Sequence, residues 1–147
     1  MEFSEFTSIL AQWCEQRPLT PLDCWIDDAN ARLAMLGPEG LGGVRISLDL
    51  LDPYDGSDPQ RLDALLAQGG ASVACDCSGA LAIDPETRCV VLLCWLPNAC
   101  TPAEVLSRLE QLANQRAAML SLMQTSMRHA TTLSSPRATL NTWQPGV

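Results

Sequence analysis

Ala80-Leu81-Ala82-Ile83-Asp84-Pro85-Glu86-Thr87-Arg88-Cys89-Val90-Val91-Leu92-Leu93-Cys94-Trp95-Leu96 reads as strand, tight turn, strand. The first apolar run is short. Pro85 suits the second position of a β-turn, because its φ is already set. Residues 89–96 are unbroken apolar and β-branched at the centre, which predicts a central strand covered on both faces. Pro97 ends it. Thr101-Pro102-Ala103-Glu104 then opens a helix. Thr101 can cap free N–H groups, Glu104 can reach back, and Pro102 stands where no N–H is needed. Along that helix Val105, Leu109, Leu112, Met119 and Met123 form one stripe, with Leu106, Leu120 and Met127 beside it.

Upstream, residues 2–16 carry Phe3, Phe6, Leu10 and Trp13 at helical spacing, widened by Ile9 and Cys14. Arg17-Pro18 ends this helix. Three strands are predicted next, over 22–26, 31–36 and 44–50. The last alternates most cleanly, with Val44, Ile46, Leu48 and Leu50 set against Arg45, Ser47 and Asp49. Asp52 to Ser57 reads as a loop. Asp58 and Pro59 start a second helix, with Leu62, Leu65 and Leu66 on its apolar face and Gly69-Gly70 at its end. Residues 71–78 fit either a connector or the start of the next strand. The order is α-β-β-β-α-β-β-α: an α+β fold, with an antiparallel sheet packed by helices. One domain is expected over residues 1–130. A weakly ordered tail is expected over 131–147, where Thr, Ser, Pro, Asn and Gly dominate.

The charge is one-sided. Seventeen acids face nine bases, all of them Arg, for a net charge of −8. This argues against nucleic acid and against anionic membranes, and it suits a basic or Arg-bearing protein partner. No apolar run approaches a membrane span and the first residues carry acids, so a cytosolic protein is expected. Seven cysteines without a secretory signal argue against a disulfide framework. Cys24, Cys89 and Cys94 sit in apolar runs and read as small core residues.

With its order of elements laid out, the chain resembles the class I type III secretion chaperones of the Tir-chaperone family. The most specific part is Leu81-Ala82-Ile83-Asp84-Pro85-Glu86-Thr87-Arg88-Cys89-Val90-Val91-Leu92, which looks like the family's hairpin of strand, D-P-x-T and strand. Small size, low pI and amphipathic first and last helices agree. The Cys75-Asp76-Cys77 connector and the tail have no counterpart in that pattern. The resemblance implies a bacterial cytoplasmic homodimer with no cofactor and no enzymatic activity. It would bind the N-terminal segment of a secreted effector in extended form and deliver it to the export machinery or its secretion ATPase.

The residues fit such a role in their own right, since a binder of unfolded segments needs an apolar groove or an accessible sheet edge. Candidate partner-binding residues are Phe6, Ile9, Leu10, Trp13 and Trp25. Trp25 lies among acids on the polar face of its strand. Core packing is the plainer account of the helix stripe, and a Trp lying across its neighbours is the plainer account of Trp25. Leu62, Leu65, Leu66, Val91, Leu93 and Trp95 are the candidate dimer surface. Helices of the same chain could instead cover both faces of that last strand.

Other chemistry finds little support. Cys75-x-Cys77 lacks a matching second pair for zinc. His129 is the sole histidine, beside the tail, and makes a poor base for a cysteine nucleophile. Asp52, Asp55 and Asp58 miss calcium-loop spacing, and 37–43 lacks a P-loop ending. Two further readings stay open: a same-fold chaperone that sequesters a secretion regulator, and a cysteine-dependent metal or redox module.

Overall fold

A computed structural model describes the backbone of residues 2–37, 42–74 and 79–140, and the side chains of 2–37, 42–67, 79–125, 127 and 128. Helix α1 covers Phe3–Gln16, and strands β1 (Leu22–Ile26), β2 (Ala29–Met35) and β3 (Val44–Leu51) follow. Then come a single-turn helix α2 (Pro53–Gly56), α3 (Pro59–Ala74), β4 (Ala80–Ile83), β5 (Val90–Leu96) and α4 (Pro102–Leu140). The five strands form one antiparallel sheet in the order β1-β2-β3-β5-β4. This is the expected α+β architecture.

Local chemistry explains the boundaries. In the β4–β5 turn the Asp84 carboxylate accepts from the Glu86 and Thr87 amides at 2.8 and 3.2 Å, and the Arg88 amide donates to the Asp84 carbonyl. The α4 capping box forms in both directions. The Thr101 amide donates to Glu104 Oε2 at 2.7 Å, and the Glu104 amide to Thr101 Oγ1 at 3.2 Å. The β1–β2 connection is tighter than expected. Ile26 pairs with Ala29, so only Asp27 and Asp28 make the turn, and Asp27 takes a left-handed φ of 54°.

The larger differences from expectation are in the helices. Residues 53–56, read as loop, form α2, whose N-cap Asp52 accepts from the Asp55 amide at 2.7 Å. Helix α3 continues through Gly69-Gly70 to Ala74; a helical glycine costs about 1 kcal/mol but does not forbid the helix. Helix α4 runs on to Leu140, through the first part of the stretch whose composition predicts a tail. Residues 75–78, with Cys75 and Cys77, and residues 141–147 lie outside the described residues.

The core lies on one face of the sheet only. Leu33, Ile46, Leu48 and Leu92 meet Leu10 of α1, Leu65 of α3 and Val105, Leu109 and Leu112 of α4 there, all essentially fully buried. The opposite face carries Arg32, Arg45, Ser47, Leu93 and Trp95, with no helix of the described chain packed across it. Strand β5 is central, and the described helices of this chain cover only one of its faces, so they do not supply the second cover that its apolar sequence calls for. Its apolar outer residues are Val91, 2% exposed, Leu93, half-buried, and Trp95, 57% exposed. No described helix is long and apolar enough to cross a membrane.

Candidate functional site

Strand β1 is an edge of the sheet, so among the described residues one side of its backbone has no partner strand. Alternation sends Cys24 and Ile26 toward the core and Asp23 and Trp25 to the open face. The Asp23–Arg32 pair across β1 and β2, at 2.8 Å, fixes that assignment. Helices α1 and α4 pass beside this edge. Between them and β1 lies a groove of about 480 Å³. Phe3 and Phe6 form one wall, Leu106 and Ala113 the other, and Trp25 and Ile26 the strand side. Phe3 is 66% and Trp25 73% exposed. Two carboxylates, Asp23 and Glu110, border this apolar space.

The groove sorts the five predicted binding residues. Phe6 and Trp25 line it. Leu10 and Trp13 are core residues at 1% and 6% exposure, and the Trp13 indole N–H donates to the Thr20 carbonyl at 3.2 Å. They hold α1 in place instead of facing outward. Ile9 is half-buried on α1 and is not part of the groove lining. Phe3, Ile26, Leu106 and Glu110 also line the groove and are not among the residues singled out for binding in the sequence. Their signal was partly present: Leu106 stands beside the α4 stripe and Phe3 opens the α1 stripe. What periodicity could not supply was that β1 is an edge, which places both helices next to it.

The six predicted dimer residues fall into two groups. On α3, Leu62 is half-buried, Leu65 is buried in the core where α3 packs against α4, and Leu66 is 60% exposed. Val91, Leu93 and Trp95 face the open side of the sheet. A second groove of about 350 Å³ lies there, where Leu93, Ile83 and the β4–β5 turn meet Arg32 and Arg45.

Burial holds four of the described cysteines in the neutral thiol form. Burial pushes Cys24 and Cys94 up to about 11; Asp23 adds to the effect at Cys24, while Arg108 opposes it at Cys94. Burial also raises Cys14 and Cys100. Among the described residues, no three His, Cys, Asp or Glu side chains are grouped as a metal would need.

No family model matches the sequence, and no curated relative matches it. Solved structures do. The fold is that of a chain in the ExsC–ExsE complex. The likeness has a TM-score of 0.54 at 12% identity, over 79% of this chain and 92% of that one. A chain of the HopA1–SchA chaperone–effector complex matches with a TM-score of 0.51 at 14% identity, over 81% and 97% of the two chains. At such identities the likeness is one of fold. Both matched chains come from complexes, the second named as chaperone with effector.

Proposed function

We propose that this chain is a type III secretion chaperone that binds the N-terminal segment of a cognate effector in extended form. The groove beside the free edge of β1 carries the proposal. An added strand would hydrogen-bond to the unpaired backbone and place alternate side chains against Phe3, Phe6 and Leu106. Exposed Phe and Trp side chains bordering an edge strand are an aggregation hazard unless a partner covers them. The fold shared with a chain of a chaperone–effector complex supports the same role. An extended segment held this way stays soluble and unfolded until it reaches the export machinery. In this proposal the protein is a cytoplasmic homodimer, and the open sheet face around Leu93 and Trp95 meets a second copy.

The test titrates N-terminal segments of secreted proteins from the same cell into the full chain, one at a time. One or a few should bind, and their amide bands should report added strand. Phe6→Asp and Trp25→Asp should each weaken binding about tenfold or more while the far-UV spectrum stays unchanged. A bound segment indifferent to both substitutions overturns the groove as the site. Absence of any binding segment overturns the chaperone role.

A further inference from the structure

We propose that the groove selects a segment of defined chemistry: two successive apolar residues followed or preceded by Arg or Lys, with the basic residue held at Asp23 in the field of Glu110, which borders the same groove. This rests on the chaperone reading above and names the kind of partner that reading leaves open.

The register of β1 carries the inference. Asp23 and Trp25 share the open face, and Cys24 between them faces the core. A strand added to the free edge keeps this alternation. Its residue opposite Trp25 meets an exposed indole and should be apolar. The next, opposite Cys24, points between α1 and α4 toward Phe6 and Leu106 and should also be apolar. The third, opposite Asp23, returns to the open face beside a carboxylate. Among the described residues Asp23 and Glu86 are both paired with one cation, Arg32, at 2.8 and 3.4 Å, which leaves one negative charge in excess at that end of the strand. Glu110 borders the same groove and has no ion-pair partner among the described residues. A net charge of −8 adds a favourable field for a basic segment. An acidic residue at the third position would meet like charge and lose affinity.

The experiment uses synthetic ten-residue peptides with a constant β-branched background and an apolar–apolar–X triplet at the centre. X is Arg, Val or Glu. Binding to the full chain is read by intrinsic Trp fluorescence at low and high salt. The Arg peptide should bind about tenfold tighter than the Glu peptide at low salt, with the gap narrowing at high salt. Glu110→Gln, at an exposed helical position, should reduce that gap without changing the melting curve, and Asp23→Asn should reduce it further. Equal affinities for Arg, Val and Glu peptides would overturn the charge selection while leaving the groove intact. Failure of every peptide to bind, where a natural N-terminal segment does bind, would overturn the triplet rule, and failure of the natural segments as well would remove the chaperone reading on which it rests. An Arg preference unchanged in both variants would place the selecting charge elsewhere and overturn the assignment to Asp23 and Glu110.

Discussion

Gln115 shows how one polar side chain ties the last helix to the sheet. It is 6% exposed. Its amide accepts from the Gly79 N–H and donates to the Gly79 carbonyl, both at 3.0 Å, as a neighbouring strand would. Position 79 has no room for a side chain, since a Cβ there would lie 2.6 Å from Leu112 Cδ2 and 2.7 Å from Gln115 Oε1. Gln115→Ala should cost about 1–3 kcal/mol, because it strands two backbone groups at the start of β4; urea unfolding measures this. Asp49 carries a pH dependence. Burial raises its carboxyl above the usual range and the nearby Asp84 and Asp23 add to that, against the pull of Arg32 and Arg116. A carboxyl whose folded pKa is raised destabilises the fold when ionised. The penalty is fully present above the folded pKa and fades as pH falls through it toward the unfolded value. Asp49→Asn should therefore melt higher than the parent at neutral pH. The difference should close near 3.8, the ordinary value of the group.

At the scale of elements, helix starts and turns were the most legible features. Thr101-Pro102-Ala103-Glu104 announces α4, and the observed box forms both bonds. Thr101→Ala should cost about 1 kcal/mol, read from the unfolding midpoint. β1 carries its predicted bounds and β3 extends one residue beyond its own, because alternation over a one-sided sheet is a clean signal. Less legible was the face on which β5 is covered. An apolar strand needs cover on both sides, but residue types do not say whether its own helices or another molecule provides it. Nor does a stripe separate core from rim. Phe6 and Trp13 belong to one stripe, yet Phe6 lines the groove and Trp13 lies in the core. The boundary is set by where α4 crosses α1, which is tertiary information. Helix α2 was hidden because Asp52-Pro53 signals a turn as readily as a capped helical turn.

For the whole molecule, the helices cover one sheet face and leave the other open, and the two faces suggest two kinds of association. The groove beside β1 fits a segment added edge-on. The face bearing Leu93 and Trp95 fits a flat contact. Leu93→Arg should convert the proposed dimer to a monomer, seen by light scattering, with circular dichroism unchanged, because Leu93 faces away from the core. A dimer that survives this change places the contact elsewhere, with the exposed Leu66 of α3 as the next candidate. Groove binding should survive in the monomer, since the residues lining the groove come from one chain.

The three described tryptophans have a practical consequence. Trp13 is enclosed in the core, Trp25 borders the groove and Trp95 stands on the open face, at 6%, 73% and 57% exposure. Each is thus a built-in optical probe of a different event. With Trp143 and the other two replaced by Phe, Trp25 alone should shift to shorter wavelength when a segment enters the groove. Trp95 alone should shift to longer wavelength when the proposed dimer is diluted to monomer. Trp13 alone should move only on unfolding. Three single-tryptophan proteins would therefore separate capture, self-association and melting, in the same cuvette and without a label.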